Sequence, residues 1–204
     1  MINNNPFRPQ FDLVLGLADE YLSYHRLIDP SDYDCSLALH NAAHARRVLI
    51  HSAVLSAVNT ISYSDRRILF TAAIYHDIGR TTDVADTTHG FRSWIKYRAL
   101  KNKPYLEDDY SKAVRLLIVG HCLDDERALQ LDHGNCNEQY KTLLFLLKDA
   151  DALDRVRNKK LDTRFLRNQY SPSLVPFATQ LYDHEDEFCA RVFEKARNQQ
   201  RERE

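Results

Sequence analysis

Where the apolar run Ile74-Tyr75 gives way to His76-Asp77, two adjacent side chains that can each donate to a metal ion stand at the end of a hydrophobic segment. With nine histidines in an aspartate-rich chain, one such neighbour pair is about what chance supplies, so the pair alone decides nothing. Its company decides more. His44 precedes it in Leu39-His40-Asn41-Ala42-Ala43-His44, and His89, His121 and Asp151 follow at the ends or starts of separate apolar segments. Neutral imidazole and carboxylate together suit divalent ions of intermediate hardness, such as iron, manganese, cobalt, nickel or zinc. Three histidines and two or three carboxylates would hold one such ion with positions open for chemistry, and the remaining histidines would complete a second site.

Bringing these residues together calls for helices. Only five glycines and six prolines punctuate the 204 residues, and no strand-like alternation is sustained between them, which predicts an all-α fold with short loops. A first helix runs from near Pro9 to Leu27 on the stripe Leu13, Leu17, Tyr21 and Leu22. A second covers about residues 36–58. On it His40 and His44, at i and i+4, share a face one turn apart, Arg46 and Arg47 point to solvent, and His51 is an ordinary hydrogen-bonded histidine. Ser64 and Asp65 cap a third helix, which carries Ile68, Leu69, Ala72, Ala73 and Ile74 inward until Gly79 ends it. His76 and Asp77 then stand at the C-terminal end of a buried helix, where polar groups without partners are costly. Residues 81–88 form a polar loop over the mouth of a site. Further helices cover about 89–103, 108–121 and 138–155, with a last one from about Ala178. The polar stretch 124–137 reads as a loop, in which His133 and Cys136 make a turn rather than a metal site.

The 44% hydrophobic composition fits one domain with a sizeable core. A formal charge of -1 gives no overall bias toward nucleic acid or acidic membranes. Cys35, Cys122, Cys136 and Cys189 form no CxxC pair and read as free thiols, as in a reducing cytoplasm. The start MINNNPFRPQ lacks the layout of a signal peptide, and no apolar run is long enough to span a bilayer, so the expected location is cytoplasmic, with no membrane partner.

The order His44, His76-Asp77, Asp151 resembles the H…HD…D signature of the HD superfamily of metal-dependent phosphohydrolases, and His89 and His121 extend it to the H…HD…H…H…D variant. The resemblance implies an HD-domain helical bundle over residues 36–157, with the metal site between core helices. Residues 1–35 then supply an N-terminal helix packed on it, and 158–204 a C-terminal helical extension. Carried over by position, His44, His76, Asp77 and Asp151 hold one divalent transition ion, and Asp77 bridges to a second held by His89 and His121. Asp151 is preferred to Asp149 and Asp154 because Leu147-Lys148-Asp149-Ala150-Asp151-Ala152-Leu153 reproduces the L-K-x-A-D-x-L setting of the guanosine tetraphosphate hydrolase branch. Asp149 and Asp154 become supporting or capping groups.

Leu39 to His44 also resembles the Y-H-N-x-x-H segment of cyclic-nucleotide phosphodiesterases, with Leu39 in place of the tyrosine. This implies that His40 protonates the leaving group. The activity implied is attack of metal-activated water on the phosphorus of a nucleotide or other small phosphorylated metabolite. Arg80, Lys148 and Arg155 would neutralise phosphate oxygens, or else be solvated surface cations. No Gly-Tyr-Pro follows His121, which argues against hydrolysis of cyclic di-GMP. Two other readings use the same residues: an HD-type di-iron oxygenase, with Arg80 and Arg155 holding a carboxylate or phosphonate, and a non-catalytic nucleotide-binding module.

Overall fold

The structure, a computed structural model, describes residues 7–104, 107–131 and 137–201. Among these residues it is all-α, with nine helices and no strand. In chain order they are α1 (Gln10–Gly16), α2 (Ala18–His25), α3 (Ala42–Val58), α4 (Tyr63–Tyr75), α5 (His89–Ala99), α6 (Asp108–Gly120), α7 (Asp125–Gln130), α8 (Glu138–Leu153) and α9 (Val175–Arg201). None of the described helices is long and apolar enough to cross a membrane.

Two helices form the centre. α3 is buried nearly all round, from Ala45 and Val48 to Val54 and Leu55, and α4 is buried on every face from Ile68 to Tyr75. A helix without a polar face needs neighbours on all sides. α3 and α4 pack on one another and on α8, α6 covers α4, and α1, α2 and α9 close the far side of α3. α5 leans on the turn after α4 and on α6, and a glycine makes each approach possible. A Cβ at Gly79 would fall 2.2 Å from the Ser93 backbone nitrogen, and one at Gly90 would fall 2.6 Å from the Ile118 carbonyl oxygen.

Several boundaries differ from the sequence reading. The first helix is two, broken at Leu17 (φ -113°, ψ 19°) just after Gly16, a poor helix former, so that α2 reaches α4 as well as α3. The helix carrying His44 begins at Ala42, not near residue 36, because Asn41 caps it by accepting from the Ala43 and His44 amides at 3.1 and 3.2 Å. His40 therefore lies off the helix. Ser62, rather than Ser64, caps α4, accepting from the Asp65 amide and donating to its carboxylate. α4 ends at Tyr75, four residues before Gly79. Part of the polar stretch after residue 124 is helical, with Asp124 capping α7; His133 and Cys136 lie outside the described residues. The last helix starts at Val175 and bends at His184 (φ -137°, ψ 31°).

Two side-chain expectations also fail. Arg47 is not solvated but buried, with ion pairs to Asp154 and Glu185, and Arg46 pairs with Glu185 from a partly buried position. His51 is fully buried with neither ring nitrogen hydrogen-bonded among the described residues, its ring edge-on to Phe177.

Candidate metal centre

Helix ends deliver the candidate ligands. His76 and His121 cap the C-termini of α4 and α6, His89 opens α5, His44 follows the Asn41 cap of α3, and Asp151 lies in the last turn of α8. Four imidazoles are fixed through Nδ1. His44 donates to Asp154 Oδ2 at 2.7 Å, His76 to the Ala73 carbonyl at 2.9 Å, His121 to the Ile118 carbonyl at 2.7 Å and His89 to the Asp86 carbonyl. These acceptors have no proton to give, so each Nδ1 carries the hydrogen and each neutral ring keeps its lone pair on Nε2.

The Nε2 atoms converge in two pairs, His44 with His76 at 3.2 Å and His89 with His121 at 2.8 Å. Asp77 stands between the pairs. Its Oδ2 is 3.5 Å from His44 Nε2 and 3.6 Å from His76 Nε2, while its Oδ1 is 3.0 Å from His89 Nε2 and 3.4 Å from His121 Nε2. Asp151 Oδ1 adds a contact to His44 Nε2 at 3.3 Å. The structure thus brings all six sequence-ordered residues together, buried except for Asp151 at the opening. Facing lone pairs in a buried site repel unless a cation or proton lies between them, and nitrogen and carboxylate donors suit divalent transition ions.

Charge follows the same layout. Burial pushes the Asp77 carboxyl up, but the ring of imidazoles around it, His76 first and then His121, His44 and His89, holds it well below the usual carboxylate range. Asp151 is likewise held low, because contact with His44 outweighs its burial. Burial drives His76 down to about 3. Burial and Arg157 act to lower His44, yet Asp151, Asp154 and Asp77 bring it up to about 10, so a metal ion at this nitrogen competes with a proton.

A cavity of about 440 Å³ opens beside His89, His121 and Asp151. The three cations read as phosphate partners all line it, but in different states. Arg80 Nε bonds Asp77 Oδ1 at 3.2 Å and its Nη1 reaches the Thr82 and Val84 carbonyls, so it braces the loop against the bridging carboxylate. Lys148 is buried and donates to the Leu123 carbonyl and Asp125 Oδ1, both at 2.7 Å. The Arg155 side chain is exposed and makes no hydrogen bond or ion pair among the described residues, though its charge helps to hold Asp151 low.

His40 reaches the site by another route than a shared helix face. Asp83 of the 81–88 loop accepts from its Nδ1 at 2.7 Å and also takes the Ala38 and Leu39 amides, which holds the ring 5.6 Å from that of His44. The sequence reading passed over Asp83, since an aspartate in a polar loop carries no local signal. It also passed over Cys122 as anything but a free thiol. The Cys122 thiol is free, yet it groups with His89 and His121; burial raises its pKa, and it donates to the Thr87 carbonyl at 3.3 Å. Asp154 and Asp149 are supporting groups, Asp154 behind His44 and Asp149 holding the Arg167 and Asn168 amides and the Ser171 hydroxyl.

No curated protein and no solved structure matches the chain. A family model does: the HD domain matches residues 41–156, more than half of the chain and a span that holds all six converging residues. On that match and this order of histidines and aspartates, the chain belongs to the HD domain family, the superfamily of metal-dependent phosphohydrolases that its sequence resembles.

Proposed function

We propose that the protein is a metal-dependent phosphohydrolase acting on a nucleotide or another small phosphorylated metabolite, with one or two divalent transition ions held by His44, His76, Asp77, His89, His121 and Asp151. One observation carries the reading: the two oxygens of Asp77 face two separate histidine pairs, beside a cavity that opens onto Asp151 and the unpaired Arg155. Ions held there supply Lewis acidity and activate water for attack on phosphorus.

The chain's own groups do the rest. Arg155 offers an uncommitted guanidinium to phosphate oxygens, whereas Arg80 and Lys148 act through the groups they already hold. His40 donates a proton to the departing oxygen from Nε2, which has no partner among the described residues, while Asp83 fixes the opposite nitrogen. Burial lowers the His40 pKa, which makes its protonated form scarcer but a stronger acid. Leaving-group chemistry tests this role. His40→Ala should slow a substrate with a poor leaving group far more than p-nitrophenyl phosphate, whose leaving group needs little protonation; equal slowing with loss of metal would make His40 a structural support instead.

The test of the function is metal analysis of protein purified without added metal, followed by a phosphate-release screen over nucleotides and sugar phosphates. One to two transition ions per chain with phosphate release is the expected result. A folded, metal-replete protein that releases no phosphate and shows a mixed-valence iron signal would instead be an oxygenase.

A further inference from the structure

The segment after residue 156 lies beyond the HD match, yet its Phe165 and Arg167 line the cavity. Lys159 turns the chain through a left-handed residue (φ 57°), and a 3-10 turn over Thr163–Phe165 then presents Phe165 to the cavity with 69% of its surface exposed. Among the described residues it is the most exposed of the large hydrophobic side chains.

The exposure is not slack in the chain. Arg167 donates three bonds to Asp125 at 2.9 to 3.1 Å and one to the Phe165 carbonyl at 2.9 Å, and its amide is bound by Asp149. Arg164 is occupied by Asp162, and Leu166 packs on the core. Clamped on both sides, Phe165 is held in place without being buried, so a flat partner could stack on it with little loss of freedom. The same cavity holds the unpaired Arg155, which suits a phosphate. Its volume lies within the range of small-molecule sites.

We propose that Phe165 is the base-stacking residue of this site and that the ligand joins a phosphate to a flat heteroaromatic ring: a nucleoside phosphate, with the phosphate toward Arg155 and the candidate metal centre and the base against Phe165. The proposal rests on the phosphohydrolase reading and narrows its substrate class. Stacking on an aromatic face tolerates any base, so the site selects for the presence of a base rather than its identity.

The test compares kcat/KM for nucleoside 5′-monophosphates with that for ribose 5-phosphate in the metal-loaded full chain. Wild type should favour the nucleotides, and Phe165→Ala should cut that preference about tenfold, the order of one base–aromatic stack, mainly through KM. Phe165→Trp should restore it. Arg155→Gln should weaken both substrates and leave the ratio alone. A ratio unmoved by Phe165→Ala overturns the stack. Calorimetric titration with a nucleoside 5′-methylenephosphonate, which cannot be hydrolysed, separates the two claims. If neither ester is turned over but Phe165→Ala still binds the phosphonate about tenfold more weakly, the stack stands and the hydrolase reading falls. Equal binding by both proteins overturns the stack whatever the turnover.

Discussion

With its Nδ1 committed to an oxygen acceptor, each of the four imidazoles can change only what its Nε2 meets, and the Asp77 carboxylate reaches Nε2 atoms of both pairs. Asp77→Ala should therefore lose more metal than any other single replacement, as read by metal content per folded chain; full retention with a native circular dichroism spectrum would refute the assignment. His89→Ala or His121→Ala should halve the content and spare the ion at the His44 side. Lost phosphatase activity at unchanged stoichiometry would make these two histidines substrate-binding groups on a one-metal site. The six residues were legible in the sequence because their order along the chain is itself the signature. His40 was singled out on two grounds, and one of them, a shared helix face, does not hold, while its resemblance to the Y-H-N-x-x-H segment does not depend on the helix. The ring comes near His44 because Asp83, 43 positions away, pulls it there, and nothing local to His40 announces that partner.

At the scale of elements, α9 is tied to the site although it lies beyond the family match. Glu185, just past the bend at His184, accepts from Arg47 Nη1 at 2.6 Å, Arg47 donates to Asp154 Oδ1 at 2.6 Å, and Asp154 holds His44. Breaking one partner out of a buried ion network leaves the others charged and uncompensated, at a cost of about 3–5 kcal/mol. Glu185→Ala should show that loss in urea unfolding. It should also weaken metal retention at the His44 side by about tenfold or more in a chelator competition, as loosening a ligand's support does. A stability loss with metal affinity unchanged would confine α9 to packing. The helices that became α3, α4, α6 and α8 and their apolar residues followed from apolar spacing, whereas the break at Leu17 and the short α7 did not. Arg47 did not, because a charged residue on a helix reads as solvated unless its partner, here 107 and 138 residues away, is known.

Across the whole molecule, stability should depend on acid through His51. Burial, opposed by the pull of Asp154, takes its pKa down to about 4 from an ordinary 6.5. The unfolded chain then binds a proton that the native state refuses. Stability from this residue is complete above about pH 6.5 and is lost as pH falls toward 4, by up to about 3 kcal/mol. His51→Leu should lose less of its urea midpoint than wild type across that window, and parallel curves would remove His51 from the account. The close approach at Gly79 and Gly90 has a consequence for variation. Neither residue offers a donor atom to an ion, yet any side chain at either would collide with backbone and push α5, with His89, away from Asp77. In a saturation library selected for activity, both positions should be purged as thoroughly as the histidines, so a tolerance map of this chain would outline a centre wider than its chemistry.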